Sequence, residues 1–70
     1  MEIRKSPMGV ELSIPFITDL GSDHKVVVTY SRFGINPSCP GSLNKAGVKA
    51  LQQALEVAAV LHEQEYMMGN

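Results

Sequence analysis

Apolar residues alternate with polar ones twice along this chain and then fall into a helical rhythm. Over residues 10–20, Val10, Leu12, Ile14 and Phe16 alternate with Glu11, Ser13 and Pro15. That is the period-two pattern of a strand with one buried face. Pro15 has no backbone N–H, so it predicts an edge or a bulge. Over residues 24–33, Val26, Val28 and Tyr30 alternate with Lys25, Thr29 and Ser31, and Val27 falls out of step. Leu20-Gly21-Ser22-Asp23 between them predicts a turn. If both apolar sets share a face, paired positions must sum to an even number. That demands a loop of odd length, most simply three residues containing Gly21.

From Asn44 to about Met67 the period changes to that of a helix. Leu43, Gly47, Ala50, Leu51, Ala54, Leu55, Ala58, Leu61 and His62 fall on one face at about 100° per residue. Lys45, Lys49, Gln52, Glu56 and Glu63 fall opposite. Ser42 or Asn44 predicts the N-cap and Gly69 the stop. The centre of the apolar face is a seam of small residues, which suits close approach to a bulky sheet face. Residues 1–9 read as a loose arm. Residues 34–43, with Pro37, Cys39 and Pro40, read as a connector. The expected fold is one α+β domain over 1–70, order β-β-α: an antiparallel hairpin over 10–33 packed under one long C-terminal amphipathic helix over 44–67.

Size changes this picture. A chain of 70 residues in this range buries only roughly 60% of its unfolded surface, and a partner often completes so small a core. The expectation is a homodimer whose strands merge into a four-stranded sheet. Pro15 blocks pairing at its own position, so the second strand, through Lys25, Val27 and Thr29, is the expected recruiting edge. The late-helix flank of Val57, Val60 and Met67 is the other candidate interface.

Composition narrows the classes. Six Lys+Arg against seven Asp+Glu give a net charge of -1, so no global field marks a nucleic-acid binder. The single cysteine, Cys39, cannot form an internal disulfide. The start, Met1-Glu2-Ile3-Arg4-Lys5, leads into Ser6-Pro7 rather than an apolar segment, so no secretory leader is expected. No membrane span is expected either, and the implied compartment is cytoplasmic. Asp23, His24, Cys39 and His62 stand singly, without metal-ligand spacing, so neither a metal nor another cofactor is expected. No nucleophile, base and oxyanion donor converge, so catalysis is not expected.

One charge pattern runs against stability. Lys45 and Lys49 occupy the positive end of the helix dipole, while Glu56, Glu63 and Glu65 crowd its negative end. As plain surface charges they cost little. As a site, Arg32, Ser42, Lys45 and Lys49 would contact an anion such as phosphate, or a partner. Gly41-Ser42 with Lys45, Ala46, Lys49 and Ala50 resembles the last helix of double-stranded-RNA-binding domains, where lysines at a helix N-terminus meet phosphates. The resemblance covers that stretch alone. The family has a preceding helix, three strands and more lysines. It implies phosphate contacts for Lys45 and Lys49, not the fold. The functional expectation is a small non-catalytic protein-binding regulator or inhibitor, a type common among phage- and mobile-element-encoded chains. The alternative is a nucleic-acid-binding module using the basic helix N-terminus.

Overall fold

The structure, a computed structural model, describes residues 1–38, 41 and 43–67, with the backbone alone for Met67. Four strands, β1 (Glu2–Ser6), β2 (Gly9–Ile17), β3 (Asp23–Ser31) and β4 (Gly34–Ser38), precede helix α1 (Lys45–His62), which continues as one π-helical turn over Glu63–Met67. The strands form one antiparallel meander in the order β1-β2-β3-β4. The class is the expected α+β, a sheet packed against one C-terminal helix. The sheet, however, already has four strands within a single chain.

Two expectations are therefore corrected. Residues 1–9 are not a loose arm: Glu2–Ser6 pairs with Gly9–Ser13. All five residues of β1 are exposed. The strand buries no face, so no alternation betrays it, and backbone pairing to β2 holds it. The connector likewise begins with a strand, since Gly34–Ser38 pairs with Val27–Ser31. Its Pro37 argues against a central strand but not against an edge.

Parity holds in the central hairpin. Val10 pairs with Tyr30, Leu12 with Val28 and Ile14 with Val26. Thr18 N–H donates to the Ser22 carbonyl at 2.9 Å, closing the three-residue loop Asp19-Leu20-Gly21. Gly21 sits there at φ +84°, a conformation glycine adopts without strain.

The direction of the backbone groups follows. Successive residues of a strand turn their N–H and C=O to opposite sides. The Thr18–Ser22 bond aims the even-numbered residues of β2 at β3 and the odd-numbered ones at β1. Pro15 thus faces the β1 side, beyond the point where β1 pairing stops at Ser13. Its missing donor costs no ladder bond, which is how a proline sits in an interior strand.

The helix lies across the sheet on its small seam. Gly47, Ala50, Ala54 and Ala58 are its buried residues, and they meet Val10, Leu12, Phe16, Val26, Val28 and Tyr30 from β2 and β3. Large sheet residues thus face small helix residues. Asn44 is the N-cap. Its Oδ1 accepts from Gly47 N–H at 2.8 Å, and its Nδ2 donates to the Ile17 carbonyl at 2.9 Å and to Asp19 Oδ1 at 3.1 Å. One side chain thereby caps the helix and ties it to the end of β2. The helix packs on β2, β3 and β4 but, among the described residues, makes no contact with β1. The molecule is elongated, 47 × 20 × 18 Å. No described helix is long and apolar enough to cross a membrane.

Candidate functional site

Meander topology places the β1–β2 turn and the β3–β4 turn at one end of the sheet. They share a Ser-X-X-Gly pattern: Ser6-Pro7-Met8-Gly9 and Ser31-Arg32-Phe33-Gly34. Each is a two-residue loop between a serine and a glycine of positive φ, +146° at Gly9 and +133° at Gly34. The serines brace the loops. Ser6 Oγ donates to the Gly9 carbonyl at 3.1 Å, and Phe33 N–H donates to Ser31 Oγ at 3.2 Å. Each loop consequently lifts one large apolar side chain into solvent: Met8 is 86% exposed and Phe33 85%.

The π-helical turn brings a third side chain to this end. Tyr66 lies 5.3 Å from His62 and 6.4 Å from Tyr30, ring centre to ring centre. Lys5, Met8, Arg32, Phe33, Glu65 and Tyr66 are among the residues lining one open cleft of about 750 Å³. The Arg32 guanidinium sits 5.0 Å from the centre of the Phe33 ring, within cation–π range. Glycosidic, acyl-transfer or phosphoryl chemistry would need converging acids, bases or nucleophiles. What the cleft brings together is one methionine, two aromatic rings, two cations and Glu65, with Ser6, Ser31 and Asn36 also in its lining.

Beneath the cleft lies a polar cluster within the core. Tyr30 is 2% exposed. Burial, and secondarily the Glu65 carboxylate beside its hydroxyl, push its pKa up to about 12. The ring of His62 stands edge-on to Tyr30 at 6.2 Å, and its buried Nε2 has no hydrogen-bond partner among the described residues. A pH prediction follows from Tyr30. An unfolded tyrosine loses its proton near pH 10, whereas the folded one holds it to about 12. The unfolded state is then the first to ionise, so stability falls as pH rises from 10 to 12. Urea midpoints at pH 9 and pH 11.5 should show this fall in the wild type and a shallower one in Tyr30→Phe. Parallel profiles would reject it.

The residues singled out from sequence do not form one site. Arg32 lies in the cleft at the turn end. Lys45 and Lys49 lie at the opposite end, where Asn44 meets Ile17 and Asp19. The 18-residue helix separates them by about 27 Å. The helix N-terminus is moreover already served by this chain: Asn44 takes the Gly47 N–H and brings the Asp19 carboxylate close, the charge a helix N-terminus favours. Ser42 lies outside the described residues, as do Cys39 and the Met67 side chain. Val57 is half-buried against the core and Val60 exposed. Val27 and Thr29 cannot recruit a strand, because β4 already pairs with Val27–Ser31, and Lys25 lies just beyond that pairing. They point instead to the sheet face away from the helix, opposite Pro15, Ser13 and Glu11. Among the described residues no cluster of His, Cys, Asp and Glu could hold a metal ion.

Met8 and Phe33 escape a reading by periodicity, because a turn has none. The available signal is the repeated Ser-X-X-Gly with an apolar third residue. Comparison with protein-family models, with curated proteins and with solved structures finds no match to this chain.

Proposed function

We propose that the protein is a small non-catalytic regulator or inhibitor that acts by occupying the surface of another protein, and that the turn-end cleft is its contact. The observation that carries this reading is the composition of the cleft. Methionine, aromatic residues and arginine are the types enriched where proteins meet, and here Met8, Phe33, Tyr66 and Arg32 gather at one exposed end. Lys5 and Arg32 favour a partner that presents a carboxylate beside an apolar group. The loops carrying these side chains are two residues long and braced, so little ordering would be lost on binding.

A second reading has its own support. An exposed aromatic ring with a guanidinium over it is also a platform for nucleobases. The two readings separate by salt. Contacts to nucleic-acid phosphates weaken sharply between about 50 mM and 200 mM salt. The test pairs the wild type with a Met8→Ser/Phe33→Ser variant, both residues being exposed enough for the fold to survive. The expected result is a protein captured from the host extract by the wild type and lost with the variant, with binding to the purified partner at least tenfold weaker by calorimetry. Equal affinity of both forms for that partner would remove the cleft from the account. Salt-steep binding of labelled oligonucleotides that requires Phe33 would put the nucleic-acid reading first. A second copy of the chain is a further partner expected from the small core, and it would use a different surface.

A further inference from the structure

The two edges of the sheet are not equivalent. In β4 the residues facing β3 are Gly34, Asn36 and Ser38, so Pro37 faces outward and leaves a gap in that edge. The helix also packs against β4. In β1 the count runs from the pair Ser6 and Gly9, where Gly9 faces β1. Glu2, Arg4 and Ser6 turn their backbone groups to β2. Ile3 and Lys5 turn theirs, unpaired, to the open edge. Among the described residues no helix contacts this strand. Ile3, on the helix side beside Leu12, is left 50% exposed, and Met1 48%.

We propose that β1 is the strand through which two copies of this chain pair, antiparallel, in the register that sets Ile3 opposite its own counterpart. This deepens the dimer part of the functional reading and does not depend on the cleft. Two-fold pairing across an edge requires partners of the same parity, so that each face continues into its equivalent. Centring on Arg4 would set arginine against arginine, and centring on Glu2 would set glutamate against glutamate. Centring on Ile3 sets Glu2 of each copy against Arg4 of the other, on the face away from the helices. On the helix side it joins Ile3 to Ile3. Ile3 is also a position whose N–H and C=O face the open edge, so the central pair exchanges two backbone hydrogen bonds. Charges on an edge ordinarily repel a foreign strand. Within each copy Arg4 Nε already lies 3.9 Å from Glu2 Oε2, so the Ile3-centred register joins the four side chains into one alternating set, whereas the registers centred on Glu2 or Arg4 set like charges together. The product is an eight-stranded sheet with both helices on one face and the paired isoleucines in the gap between them.

The experiment is light scattering with a charge exchange, from about 5 to 200 µM, a range that brackets micromolar affinities. The wild type is expected at twice the 7.6 kDa of the chain. Glu2→Arg and Arg4→Glu each create two like-charge pairs, and each should raise the dissociation constant about tenfold or more. Mixed one to one, those variants should recover dimers, since every cross-pair is then complementary. Both sites are exposed, so circular dichroism should stay unchanged. A wild type monomeric at 200 µM overturns the proposal. So does a dimer that both variants leave intact, which would show association through another surface. Neither result bears on partner capture by Phe33.

Discussion

Replacing Leu12 with alanine is expected to cost the protein about a third or more of its stability. Leu12 is fully buried. It stands on β2 between Ile3 on β1 and Val28 on β3, in the core cluster that includes Ala54 and Ala58. Deleting its isobutyl tip removes transfer free energy and leaves a cavity, together about 2–5 kcal/mol for a leucine. The neighbours cannot collapse into the gap. Ala54 and Ala58 above have no length to reach it, the leucines of the helix are already packed against the cluster, and the residues beside it are held by strand pairing. A domain of this size has about 4–10 kcal/mol in all. The thermal midpoint should therefore fall by about 10–25 °C. A shift under 5 °C would mean that the helix can settle onto the sheet, and that the close-packed picture of this layer is wrong.

Gly9→Ala should be comparably damaging for a different reason. Gly9 holds φ +146°, where L-residues are strained, and a Cβ built there runs into the backbone carbonyl oxygen of Tyr30. A flexible side chain could move aside, but a backbone carbonyl held between β2 and β4 near the end of β3 cannot do so freely. Strain and clash together should cost about 2–4 kcal/mol. Gly34 is the control. It has a similar φ, +133°, in the sister turn, with open space where its Cβ would go. Gly34→Ala should meet only the conformational penalty, about 1 kcal/mol. Urea denaturation of the two variants should separate them clearly. Equal losses would show that the close approach to Tyr30 relaxes at no cost.

Legibility in the sequence follows what each element buries. The helix is readable because Gly47, Ala50, Ala54 and Ala58 recur at its period, and β2 and β3 because Leu12, Phe16, Val26, Val28 and Tyr30 alternate toward one face. The register follows from the same residues, since only an even sum joins the two apolar sets. β1 and β4 are opaque because they contribute little to the core. Glu2-Ile3-Arg4-Lys5-Ser6 reads as polar chain, and Pro37 discourages a strand until its nitrogen is seen to face the open edge. With β1 and β4 opaque, the sequence leaves β3 as an edge, and Lys25, Val27 and Thr29 as its pairing residues, whereas β4 in fact covers Val27–Ser31. Arg32 is legible in the sequence as a candidate contact. Its grouping with Lys45 and Lys49 failed because charge can be read along a chain, while position relative to the far end of a helix depends on the whole fold.

The meander carries a consequence for how the chain reaches its structure. Each strand pairs with the next one in sequence, across the two-residue loops at Pro7-Met8 and Arg32-Phe33 and the three-residue loop at Asp19–Gly21. Closing loops this short costs little chain entropy, and neighbours in sequence find each other quickly. The sheet can grow one hairpin at a time, without waiting for distant segments to meet. Only the helix must return across a long separation, from Asn44 back to Ile17 and Asp19. Its docking completes the core.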